Sequence, residues 1–169
     1  DNRNAGTGKT LTPAGVVSDG NSGNNYTYTY ATVSTGVINK MALTITAATD
    51  TKTYDGTTSS VGVPTITSGS LGTGDSATWT QTFDNRNAGT GKTLTPAGVV
   101  SDGNSGNNYT YTYATVATGV INKMALTITA ATDTKTYDGT TSSVGVPTIT
   151  SGSLGTGDSA TWTQTFDNR

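Results

Sequence analysis

The sequence predicts an all-β fold, built as a small immunoglobulin-like sandwich that recurs along the chain. Three observations carry this. Apolar or aromatic residues alternate with Thr, as in Leu43-Thr44-Ile45-Thr46-Ala47 and Tyr109-Thr110-Tyr111-Thr112-Tyr113, which is the period-two pattern of a half-buried strand. Turn residues, 22 Gly among them, break the chain at short intervals, as in small sandwiches and barrels. The text also repeats itself. Asp1-Asn2-Arg3 returns as Asp84-Asn85-Arg86 and as Asp167-Asn168-Arg169, a period of 83 residues (84 − 1), and Ser34 against Ala117 is the single mismatch between copies. A long, near-exact period is the mark of an array.

The period sets the expected domains: residues 42–123 are a complete repeat, 1–41 the C-terminal half of one, and 124–169 the N-terminal half of another. Within the complete copy, Leu43 to Ala47 reads as the first strand. Asp55-Gly56 is a turn dipeptide that tolerates positive φ. Val61, Val63 and Ile66 predict a second strand, with Pro64 demoting part of it to an edge or bulge. Residues 68–76, rich in Gly and Ser, read as a loop. Ala77, Trp79, Gln81 and Phe83 alternate with Thr and predict one unbroken strand whose aromatic pair faces one way. Residues 84–91 form another loop. Short strands are expected at 92–95 and 99–100 with Pro96 between them, then the Tyr109–Tyr113 row, then 114–121 with a bend at Gly119. Thr suits such surfaces because its branched β-carbon is stiff. A smaller β-grasp-like arrangement is the alternative. No flexible spacer separates Ile121 from Leu126, so the repeats are expected to stack end to end. Each half repeat lacks strands it would pair with, and unpaired edges seek partners; pairing with neighbouring chains is expected.

Composition excludes several functions. There is no Cys, no His and no Glu, and all eleven acids are Asp. Disulfides, thiolate metal sites and the common general bases and nucleophile pairs are therefore out of reach, and no enzyme is predicted. The net charge is −2, with Lys and Arg scattered singly, which argues against a nucleic-acid surface. No apolar run is long enough for membrane insertion as a helix.

The remaining motifs each have a structural reading beside a functional one. Gly89-Thr90-Gly91-Lys92-Thr93 hints at a phosphate loop, but the position that needs Gly is Arg86, and Leu-Thr-Pro-Ala-Gly follows where a helix should start. A plain turn is the better reading. Asp102, Asn104 and Asn107 gather hard oxygens in a glycine-rich loop and could hold Ca²⁺ weakly, although one carboxylate is a low charge for that ion; otherwise no cofactor is expected. An Asx-rich turn is the simpler account. Tyr109 after this loop is similar to the tyrosine corner of sandwich domains. The row Tyr109, Tyr111 and Tyr113 could stack on glycan or contact a host protein, but a domain this small needs its rings for burial. A buried Lys beside Asn or Asp, with a protonated carboxyl, could form an isopeptide crosslink. Tyr54, Asp55, Gly56, Trp79 and Phe83 are read as structural.

Four blocks in order, Ala42-Leu43-Thr44-Ile45-Thr46, Lys52-Thr53-Tyr54-Asp55-Gly56-Thr57-Thr58, Phe83 to Thr93 and Asn108-Tyr109-Thr110, resemble the YDG-type repeat. That family comprises mostly-β, glycine-rich modules found in tandem in large bacterial surface and filamentous-haemagglutinin-like adhesins. The resemblance implies a secreted structural spacer or filament element, extracellular at the bacterial cell surface. Its partners would be neighbouring repeats, and it offers no active site to carry over.

Overall fold

The computed structural model describes residues 2–167, so Asn168 and Arg169 of the third Asp-Asn-Arg triad lie outside the described residues. Among the described residues there is no helix, and the all-β class holds. In chain order the strands are β1 (Gly6–Leu11), β2 (Val33–Ile38), β3 (Met41–Thr46), β4 (Thr51–Thr53), β5 (Thr65–Ser68), β6 (Ser76–Ala77) and β7 (Thr80–Phe83). They continue with β8 (Gly89–Ala97), β9 (Val100–Ser101), β10 (Tyr109–Ala114), β11 (Val116–Asn122), β12 (Thr127–Thr129) and β13 (Thr148–Ser151).

The chain forms two compact units, and neither coincides with one sequence period. The first comprises Asp1–Ile45, Thr65–Trp79 and Gly98–Tyr113; the second comprises Thr46–Pro64, Thr80–Ala97 and Ala114–Arg169. Each unit therefore contains a place where two copies of the repeat meet. In the first unit the central sheet has the order β10-β3-β5, beside the pairs β1-β2 and β6-β9. Its core is Leu43, Ile45, Val100 and Tyr109, with Ile66, Leu71, Ala77, Trp79 and Tyr111 packed against it. Leu43 and Ile45 point inward two residues apart, as the pleat requires. Each such side chain, fully buried, contributes about 1.5–3 kcal/mol.

In the second unit the sheet order is β4-β11-β8-β7, beside the pair β12-β13. Here β4 runs parallel to β11, while β8 is antiparallel to both β11 and β7. The core is Ala47, Phe83, Leu94 and Ile121, flanked by Tyr54 and Val116. Gln81 is buried in this unit and bonds to backbone as a neighbouring strand would: its amide accepts from Ala48 N (2.8 Å) and donates to Ala48 O (2.8 Å) and Ser60 Oγ (2.9 Å).

Three expectations are corrected. Val61 and Val63 are in no strand and stand 88% and 65% exposed. The cause is Asp50, whose Oδ2 accepts from the Ser60 hydroxyl, Val61 N (3.0 Å) and Gly62 N (3.4 Å), so a side chain takes the bonds a ladder would need. The strand expected at 77–83 breaks at Thr78 and Trp79, and its aromatic pair is divided: Trp79 packs on the first core, Phe83 lies in the second. Pro96 interrupts nothing. It lies inside β8, beyond Leu94, the last β8 residue paired with β11, so on that side no ladder bond is lost. Gly119, expected as a bend, lies inside β11 where the register with β8 is irregular on both sides, and it also makes a close approach: a Cβ there would come within 2.9 Å of both Lys92 O and Phe83 Cε1.

Candidate inter-copy junction site

A set of polar contacts between sequence-distant residues sits where one copy meets the next. Its arginine contacts occur twice, one period apart, while the tyrosine at each junction comes from a different position of the repeat. In the second unit, Arg86 Nη1 donates to Thr156 O (2.8 Å) and Nη2 to Asp158 Oδ1 (2.6 Å), while Tyr54 Oη donates to Asp158 Oδ2 (2.6 Å). The guanidinium also lies 6.0 Å from the Tyr54 ring centre, a cation–π distance. In the first unit, Arg3 Nη1 donates to Thr73 O (2.8 Å), Nη2 pairs with Asp75 Oδ1, and Tyr109 Oη donates to Asp75 Oδ2. Arg3 and Arg86 are the same residue of the repeat, as are Thr73 and Thr156, and Asp75 and Asp158.

The three residues of the Tyr-Asp-Gly turn have separate tasks in the second unit. Asp55 folds the turn: its Oδ1 accepts from Thr57 N (2.8 Å), Thr57 Oγ1 (2.9 Å) and Lys52 Nζ (2.8 Å). The Lys52 ammonium above all, with the Thr57 N–H, lowers its pKa to about 2. The Asp55 carbonyl then accepts from Thr156 N across the junction (2.8 Å). Gly56, at φ +80, lets the next copy approach, since a Cβ there would lie 2.3 Å from Thr156 N and 2.6 Å from Thr156 O. Tyr54 supplies the hydroxyl to Asp158, and that bond, more than burial, raises the phenol pKa. The same hydroxyl is the main cause of the lowered Asp158 pKa; burial opposes it and Arg86 reinforces it.

The tyrosine row is tied to the chain's own backbone. Tyr109 is buried; besides donating to Asp75, its hydroxyl accepts from Gly72 N (2.8 Å). Tyr111 Oη accepts from Val100 N (3.0 Å) and donates to Gly106 O (3.0 Å), so the corner-like tie belongs to Tyr111 rather than Tyr109. Tyr113 Oη donates to Gly98 O, and its ring stacks on Tyr111 at 6.1 Å and 4°. Trp79 meets Tyr111 edge-on at 6.3 Å. Only Tyr113 of the three offers much surface, at 38% exposed.

Asp102, Asn104 and Asn107 share one loop, but the carboxylate faces amides. Asp102 Oδ1 accepts from Asn104 N (2.7 Å) and Gly106 N (2.8 Å), and Oδ2 from Asn108 N (3.1 Å). Burial works against its charge, and these N–H groups outweigh it, so the pKa is lowered. Asn104 Nδ2 donates to Asn108 Oδ1 (3.1 Å) and Asn107 Nδ2 to Asn104 O (2.8 Å). The cap holds Ser105 at φ +56. Among the described residues no group of three acidic side chains gathers for a metal.

Lys92 of the Gly-Thr-Gly-Lys run is buried, with Nζ on Asn85 Oδ1 and 3.2 Å from Asp84 Oδ1. It is the Lys beside Asn and Asp that a crosslink would use. Asp84, however, is exposed, and although desolvation opposes it, the Lys92 contact lowers the Asp84 pKa. That contact favours the charged carboxylate, whereas the chemistry needs the protonated acid.

Sequence reasoning placed Tyr54, Asp55 and Gly56 as structural but missed Arg3, Arg86, Asp75 and Asp158. Only the spacing of Arg and Asp by 72 residues in both copies could have signalled the pair.

Residues 39–117 match the family model of the YDG domain. No curated protein and no solved structure matches the chain.

Proposed function

We propose that this chain, whose residues 39–117 match the family model of the YDG domain, serves as a structural tandem-repeat spacer of a bacterial cell-surface adhesin or extracellular filament. One observation carries the reading. The Arg-to-Asp contact and the Arg bond to a Thr carbonyl recur one period apart, in Arg3 with Asp75 and Thr73 and in Arg86 with Asp158 and Thr156. A docking contact that repeats with the sequence is what an array of coupled modules needs, because its stability is a sum of module and neighbour terms. The chemistry of the repeat supports the same reading: its carboxylates and tyrosines are committed to turns, caps and junctions. An adhesive role on glycan or protein is the alternative, favoured only by the stacked and partly exposed Tyr113. Saturable binding of the full chain on a glycan array, lost in Tyr113→Ala, would replace the spacer reading with that one.

The coupling is tested at Gly56. Asn tolerates the left-handed backbone, so Gly56→Asn keeps the turn and places a Cβ against Thr156. Overpacking of this kind costs about 1–3 kcal/mol. The expected result is a drop of several degrees in the thermal midpoint of the full chain. An unchanged midpoint would remove the coupled array.

A further inference from the structure

Tension along a chain of repeats enters each copy through its first residues and leaves through its last. How those two segments pair decides how the copy gives way. In the second unit β4 pairs with β11 in parallel, with Thr51 opposite Val120, Lys52 opposite Ile121 and Thr53 opposite Asn122. Further backbone bonds extend the ladder: Ala47 N donates to Ala114 O (3.0 Å), Val120 N to Asp50 O (3.0 Å) and Tyr54 N to Asn122 O (2.8 Å). The Thr49 and Thr118 hydroxyls bond to each other across the same two segments (2.8 Å). Residues 47–54 are thus tied from end to end to residues 114–122. Every residue of this ladder belongs to the complete copy, 42–123. In the first unit β3 lies beside β10, and Met41 N donates to Asn108 O (2.9 Å).

The direction of the strands is what matters under load. Two parallel strands held at the start of one and the end of the other are pulled along each other. Their hydrogen bonds are evenly spaced, so the load divides among them and they fail together. Strands held at the same end open one bond at a time. Resistance to forced unfolding follows the unfolding barrier rather than the equilibrium stability. A ladder that must break at once raises that barrier even where the core is small.

We infer that the parallel ladder between residues 47–54 and 114–122 is a load-bearing clamp, so that the copy resists pulling along its length. As a function this rests on the spacer reading and takes it from reach to tension. As a property of the fold it belongs to one copy and does not depend on coupling between copies.

Single-molecule pulling of the full chain in two directions tests this. The chain has no Cys, so paired substitutions choose where force is applied. Met41→Cys with Asn122→Cys holds the start of the first segment and the end of the last. Thr53→Cys with Asn122→Cys holds the ladder at one end, on two residues that face each other. All three side chains are exposed, so both variants should keep the thermal midpoint of the unsubstituted chain. The expected result, at one pulling speed, is a severalfold higher unfolding force for the first pair. Its rupture should be a single event that releases up to about 290 Å as 82 residues (122 − 41 + 1) extend. Equal forces in the two directions, or a first pair that opens in a series of small steps, overturns the proposal. The spacer reading is judged separately, by the midpoint of Gly56→Asn, which the direction of pulling does not touch.

Discussion

Asp55 and Asp158 show how single carboxylates tie the repeat to pH. The Lys52 ammonium and the Thr57 N–H hold Asp55 at a pKa of about 2, against an ordinary 3.8, and Asp138 is held at about 2 in the same way. A group with a depressed native pKa stabilises the fold above its unfolded value and loses that contribution as pH falls through the native one. The stability of the chain should therefore fall between about pH 4 and pH 2, and Asp55→Asn should flatten that part of the profile. Tyr54 works in the opposite direction. Its pKa is raised by the bond to Asp158, so its contribution is complete below its ordinary value of 10.0 and is lost as pH rises beyond it. Thermal midpoints measured from pH 2 to pH 11 check both arms; a midpoint unchanged between pH 4 and pH 2 would contradict the acidic one.

At the scale of elements the chain contains its own controls, because identical text takes different structure in different surroundings. Tyr109–Ala114 is a strand that pairs with β3, whereas the same residues at 26–31 are in no strand. Tyr26, Tyr28 and Tyr30 are 56%, 38% and 47% exposed. Thr51–Thr53 is a strand parallel to β11, and its copy at 134–136 is not. Strand preference is a property of the neighbours as much as of the residues. Amide hydrogen exchange should reflect this, with Thr110 and Thr112 protected and Thr27 and Thr29 exchanging rapidly. Peptides running on to Ser34 or Ala117 differ in mass, so mass spectrometry can tell the two copies apart. Equal protection in both would contradict the pairing.

Across the whole molecule, burial follows the two cores rather than the period. Leu94 is fully buried in the second core, while its copy Leu11 is 55% exposed. Leu94→Ala should cost about 2–5 kcal/mol, and Leu11→Ala about 0.5 kcal/mol or less. Urea denaturation of the two variants measures the difference; equal losses would mean that Leu11 is buried as well. The sequence carried the class, most strand positions and the Tyr-Asp-Gly turn, because alternation and turn chemistry are local signals. It did not carry the break at Trp79 or the unpaired Val61 and Val63, since those depend on which core takes an aromatic ring and on Asp50 capturing the backbone after Ser60.

By itself the sequence determined an all-β array with an 83-residue period (84 − 1), free of the side chains common catalysis uses. What the Tyr-Asp-Gly turn touches emerges only from the folded chain. A local turn can be read from Asp and Gly next to each other, but the Asp158 that Tyr54 meets lies 104 residues away. Contacts at that distance are set by packing, which no local pattern encodes.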